Sequence, residues 1–150
     1  MRSTATTTER ITRALTAPKD AAAIAVFRMI FGVIIAVSAG RALGYGWLRP
    51  MFGNPFQFKY WGFAWLPVPS LPALQLVFAT IGVLGVLVAL GLFYRIAIVA
   101  LFALFTWVEL LDVSNYLNHY YLVTLLAGLL CFVPAHRLWS LDVLRRPALR

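Results

Sequence analysis

Cysteine is almost missing. Cys131 is the single one in 150 residues, so no disulfide closes within the chain. His119 and His136 stand alone, with no Cys or second His at zinc-ligand spacing, so no metal site is expected. Acidic residues number 5 against 13 Lys and Arg, giving a net charge of +8. That balance raises the question of nucleic-acid binding. The basic residues, however, sit at the edges of apolar runs and form no continuous basic face, which argues against it. Charge of either sign is absent from residues 30–40, 76–94 and 96–108. With 62% hydrophobic residues and a mean hydropathy of +0.84, the chain reads as an integral membrane protein.

What is present is ordered along the chain. Residues 1–20 are polar and hold Arg2, Arg10, Arg13 and Lys19, which reads as a cytoplasmic tail with a short amphipathic helix near residues 11–15. Residues 21–43 follow as a first span. Val37, Ser38 and Ala39 imitate a signal-peptidase site, but the apolar run is too long for a signal sequence and contains Arg28, so a retained helix is predicted. Residues 44–70 are rich in Gly, Pro and aromatics, with Trp47, Trp61 and Trp65 suited to the headgroup level, and are expected to cap something. A second span is predicted over 71–93, where Gly82, Gly85 and Gly91 form a small-residue stripe. Residues 96–133 would make a helix about 57 Å long, near twice the ~30 Å hydrocarbon core, so the run must break at the polar residues 112–118. That gives spans near 96–112 and 117–133.

Four spans put both termini on one side. The tail, the connector with Arg95 and the C-terminal segment hold nine Lys and Arg, against three (Arg41, Arg49, Lys59) in the first connector and none in the last turn. The excess predicts cytoplasmic termini. The reading is therefore an all-α integral membrane protein with four transmembrane helices, in a bacterial-type plasma membrane, with the aromatic connector and the polar turn on the opposite face.

The polar turn concentrates the chemistry. Glu109, Asp112, Asn115, Asn118, His119, Tyr120 and Tyr121 fall between apolar runs, where ionisable groups are costly and usually retained for function. If the turn kept helical geometry, Asp112, Asn115 and His119 would fall within one sector of a helix. The bland alternative is that these groups only satisfy the backbone of a helix reversal. Arg28 is expected to snorkel or to meet the 134–142 segment, where Asp142 is the available carboxylate. Arg41 is the better-placed partner for Glu109 or Asp112, and Arg95 marks a boundary.

Four strings occur in order: AVFRMIFG at 25–32, GLFYR at 91–95, LLD at 110–112 with NHYYL at 118–122, and WSLD at 139–142. Together, over about residues 21–144, they resemble the membrane domain of the vitamin K-dependent gamma-carboxylase family, often called the HTTM domain. The resemblance implies oxidation of reduced vitamin K or another quinone by O2, coupled to proton removal from a glutamate γ-carbon and addition of CO2. It implies His119 and Asn118 as catalytic residues, with Asp112, Asn115, Tyr120 and Tyr121 in support; from their places in the sequence, Glu109 joins the supporting set and Arg28, Arg41 and Arg95 are read as structural charges.

Two departures stand beside it. The family often has Asp-Lys-Thr at the turn, whereas this chain has Asp112, Val113 and Ser114. The family's base lysine lies in a later membrane segment, and the two lysines here, Lys19 and Lys59, do not match it. The chain is thus expected to be the N-terminal four-helix part of such a protein, a truncated frame or half of a split system, with residues 145–150 as a basic end. A second polypeptide would then supply the missing spans. The runner-up is a small DoxX-like four-helix membrane protein with a quinone-associated or structural role.

Overall fold

The computed structural model describes residues 22–53, 56–115 and 117–145. The tail, its expected helix near 11–15 and the last basic residues lie outside them. Among the described residues the chain is all helical: α1 (Ala22–Gly44), α2 (Leu48–Phe52), α3 (Leu71–Leu90), α4 (Tyr94–Glu109), a 3-10 turn (Val113–Asn115), α5 (Asn118–Phe132) and α6 (Leu141–Arg145). α1 and α3 are long and apolar enough to cross a membrane. α4 has 16 residues and α5 has 15. At the α-helical rise these reach only about 24 and 22 Å, short of the ~30 Å hydrocarbon core. Length alone therefore supports two crossings where four were expected.

The outward faces argue for lipid as the solvent. On α1, Ile30, Val33, Ile34 and Val37 are each more than half exposed, as are Leu76 and Val83 on α3. In water such faces would be a large unpartnered apolar patch. A helix that is apolar all round and still exposed fits a bilayer instead.

α1 packs along α3, α3 touches α4, and α4 pairs with α5. The α1–α3 contact is close because glycines meet: a Cβ on Gly32 would lie 2.5 Å from Ala89 N and Gly85 O. The expected stripe is thus corrected. Gly85 faces Gly32 across the pair, Gly82 faces Ala39, and Gly91 leaves the stripe to end α3. Gly91 adopts φ +63, and its N–H and that of Leu92 return to the last carbonyls of α3. Only a residue without Cβ takes this left-handed cap cheaply.

Two buried clusters fill the interior. The larger joins Phe31, Ile35, Ile81, Val88, Ile98 and Leu101 with Ala127 and Leu130 of α5. The smaller joins Ala42, Leu48, Phe52, Leu66, Leu74 and Leu111. It lies beneath the aromatic connector, and this is why that connector is folded rather than loose.

At the opposite, arginine-rich end, Arg28 is fully buried. Its Nη1 donates to Val88 O at 3.1 Å and its Nη2 to Trp139 O at 2.6 Å. The guanidinium does reach the 134–142 segment, but through a carbonyl. Asp142 instead accepts from the N–H groups of Phe93 and Tyr94, both at 2.9 Å, and so caps the start of α4. Arg95 donates to Cys131 O at 3.0 Å and ties α4 to the end of α5. Val133 is extended because Pro134 follows it, which stops α5.

His136, in the turn beyond α5, is buried with its ring stacked on Tyr94 and its Nδ1 unpartnered among the described residues. Burial, reinforced by Arg95, Arg137 and Arg28 against the opposing pull of Asp142, lowers its pKa from 6.5. The unfolded chain therefore takes up this proton first. Stability is full above about pH 6.5 and is expected to fall as the pH drops below that value. Thermal unfolding between pH 8 and pH 5.5 checks it: wild type should lose stability on acidification, and His136→Gln should flatten that dependence.

Candidate functional site

The polar turn is not one helix. α4 ends at Glu109, Asp112 follows outside it, Val113–Asn115 form a 3-10 turn, and Leu117 is extended before α5 opens at Asn118. The expected sector holding Asp112, Asn115 and His119 is thus corrected. These residues converge because the chain reverses, not because they share a helical face. The reversal satisfies its own backbone. Asp112 is buried, and its Oδ1 accepts from Phe58 N at 3.2 Å, Ser114 N at 2.9 Å and Ser114 Oγ at 2.8 Å. Val113 N in turn donates to Phe58 O at 2.8 Å.

The aromatic connector is stapled onto this turn. Lys59 Nζ donates to Leu66 O at 2.8 Å and Leu111 O at 3.0 Å, and Asn115 Nδ2 donates to Met51 O at 2.9 Å. Sequence reasoning set Lys59 aside, and it is in fact the clamp of the cap. Nothing in the sequence marks a lysine as one that will meet two carbonyls distant along the chain.

Between the cap and the helices lies a cavity of about 240 Å³. Glu109, Asp112, Asn115, His119 and Tyr120 line it from the turn side, and Arg41 lines it from α1. Its apolar wall includes Ile35, Ile81, Phe78 and Phe105, with Trp47 and Met51 from the cap. Ile35, Ile81, Phe78 and Phe105 were missed because they are apolar residues within apolar runs. Asn118 is exposed and Tyr121 is half exposed, and neither lines the cavity. Arg28 and Arg95 belong to the other end.

Three charged or titratable side chains at the cavity form no ion pair among the described residues. Among the described residues, nothing hydrogen-bonds the His119 ring, which rests edge-on against Tyr120 with centroids 4.4 Å apart. Glu109 has no hydrogen-bond partner among them either. Arg41 closes no ion pair with Glu109 or Asp112; its guanidinium lies over the Trp47 ring at 5.5 Å and the Tyr45 ring at 6.0 Å. A cation, a carboxylate and an imidazole thus border one apolar-walled space. That arrangement suits a flat, weakly polar ligand with an ionisable oxygen.

The model described as HTTM domain matches residues 16–150. The chain belongs to the HTTM domain family. This domain belongs to the vitamin K-dependent carboxylase family. No solved structure matches the chain. The HTTM strings seen in the sequence assemble at two places. Residues 25–32, 91–95 and 139–142 meet at Arg28, Gly91 and Asp142, where they lock three segments together. Only 110–112 and 118–122 border the cavity. Most of the recognisable HTTM pattern therefore holds the fold together, and the rest borders the cavity.

Proposed function

We propose that this HTTM chain crosses a bacterial-type plasma membrane four times and uses its capped cavity to hold the ring of a reduced quinone, as the membrane part of a carboxylase-type enzyme. The observation that carries the reading is the convergence of Arg41, Glu109 and His119 on one apolar-walled cavity of about 240 Å³. That volume lies just below the ~300–1,000 Å³ usual for ligand pockets, enough for a fused bicyclic ring but not for an isoprenoid tail. The tail would leave between helices into lipid.

The donor set fits the ligand. Arg41 would stabilise a negatively charged ring oxygen, and the imidazole of His119 or the carboxylate of Glu109 would take or hold its proton. The apolar wall of Ile81, Phe78 and Phe105 would exclude water from the ring, while the cap stapled by Lys59 and Asp112 would hold the lid closed. When bound, a reduced quinone supplies the reducing power for reaction with O2, and CO2 would be the carbon donor in the carboxylase reading.

A second reading, ligand binding without chemistry in a small quinone-associated protein, has one observation in its favour. Lys59, the one described lysine, is committed to two backbone carbonyls. Family-type proton removal would then need a lysine from another segment or a second polypeptide.

Titration of the purified chain in detergent with a reduced naphthoquinone tests the cavity. Saturable binding is expected, weakened about tenfold by His119→Ala, a loss of about 1.4 kcal/mol. Ser38→Phe, at an exposed position on the cavity wall, should block binding by filling the space. Asn118→Ala should leave binding unchanged. Absence of saturable binding by folded wild type sinks the proposal; binding that survives both His119→Ala and Ser38→Phe puts the ligand elsewhere.

A further inference from the structure

A second cavity, of about 510 Å³, opens at the arginine-rich end between α1, α3 and the segment leading into α6. Its walls are apolar: Met29, Leu90, Leu138, Val143 and Leu144. Arg137, exposed, is the single cation among the described residues that borders it, and Trp139 stands beside it at 62% exposure. Among the described residues, Asp142 commits both carboxylate oxygens to the amides of Phe93 and Tyr94 and forms no ion pair with Arg137.

Two backbone outliers concentrate here. Phe93 and Trp139 are the only non-glycine residues with positive φ among the described residues, both at +48°. Glycine or asparagine would take that conformation with less strain. Both positions instead present large rings outward, and Arg145 lies over the Phe93 ring at 4.8 Å. At Trp139 the left-handed turn sends the carbonyl inward to Arg28 and leaves the indole outside. An amphipathic ring held at the end of an apolar helix pair belongs at the level of lipid headgroups.

From this geometry we infer that the groove is a binding site for one anionic phospholipid, with Arg137 on the phosphate, Trp139 at the headgroup level and an acyl chain along Met29, Leu90 and Leu144. Charge complementarity selects the occupant. A cation at the mouth of an apolar groove accepts an anionic headgroup with an attached chain, and basic pockets at the cytoplasmic ends of spans are suited to such lipids. This site rests on membrane embedding alone and not on the quinone reading.

Native mass spectrometry of the full chain in detergent, with phosphatidylglycerol or phosphatidylcholine added, tests it. Wild type should prefer phosphatidylglycerol about fivefold. Arg137→Gln should abolish the preference, and Leu144→Glu, which places a carboxylate at an exposed groove position, should do the same. Arg145→Gln removes an equal charge outside the groove and should keep the preference. Equal retention of both lipids by wild type overturns the proposal. So does an equal loss in Arg137→Gln and Arg145→Gln, which would mean diffuse surface attraction rather than a site. His119→Ala should leave the lipid preference intact, so failure of the quinone cavity and failure of this groove are read separately.

Discussion

Arg28→Met should cost the folded chain about 2–3 kcal/mol, the range for losing a charge-assisted hydrogen bond and leaving a buried carbonyl unpaired. Methionine keeps the unbranched apolar stem of arginine and ends short of the guanidinium, so the loss falls chiefly on that group. Val88 O retains a second donor, the N–H of Gly91. Trp139 O loses its side-chain donor, and the left-handed turn at Trp139 loses the bond that holds it in place. Since α6 and the Asp142 cap follow that turn, the start of α4 is loosened as well. Replacement of buried charges by apolar residues is sometimes neutral, but only where both partners are replaced together. Here a carbonyl would remain. Thermal unfolding in detergent should show a fall of about 10 °C. Arg28→Lys should fall between the two, because one ammonium on a shorter stem cannot span two carbonyls set apart by the guanidinium fork. A methionine variant as stable as wild type would mean that Arg28 merely fills space.

The sequence made some of this legible and hid the rest for physical reasons. Uncharged apolar runs announced α1 and α3, because helix length and hydropathy are local properties. The break near residue 112 followed from length alone. The same reasoning placed α4 and α5 within a few residues, although the left-handed turn at Phe93 and the short 3-10 segment were invisible to it. Contact with the 134–142 segment was one of two alternatives for Arg28, the other being the headgroups; a carboxylate was the natural guess there, and backbone carbonyls leave no mark in a sequence. At the site, the ionisable residues of the turn stood out because charge is rare in this chain. Its wall did not, since Phe78, Ile81 and Phe105 look like any other apolar residue of a span. The clamp role of Lys59 went unseen because it depends on Leu66 and Leu111 being brought together by the fold.

The same chemical change on one helix should have opposite signs at two positions. Gly40 of α1 has open space around a hypothetical Cβ. Gly40→Ala there should stabilise by roughly 0.5–1 kcal/mol, because alanine loses less backbone freedom on forming a helix. Gly32 lies two turns earlier on the same helix, where a Cβ would stand 2.5 Å from Ala89 N and Gly85 O. Those are backbone atoms of α3 and have no alternative rotamer to adopt. Gly32→Ala must therefore push α1 off α3, at a cost of about 3 kcal/mol by the usual scale of overpacking. Gly85→Ala, with a Cβ 2.9 Å from Ala36 N and Gly32 O, should behave alike. Since both residues make the same contact, the double variant should lose less than the sum of the singles. The effect reaches the cavity, because Ile35 and Ala39 of α1 and Ile81 of α3 form its wall within two turns of the glycine contact. Widening the helix pair lets water into that wall. Gly32→Ala chains that still fold should bind a reduced naphthoquinone more weakly, although no residue near the ligand has changed. Equal stability of the Gly32→Ala and Gly40→Ala chains would mean that α1 and α3 do not meet at these glycines, and the cavity wall built from them would have to be redrawn.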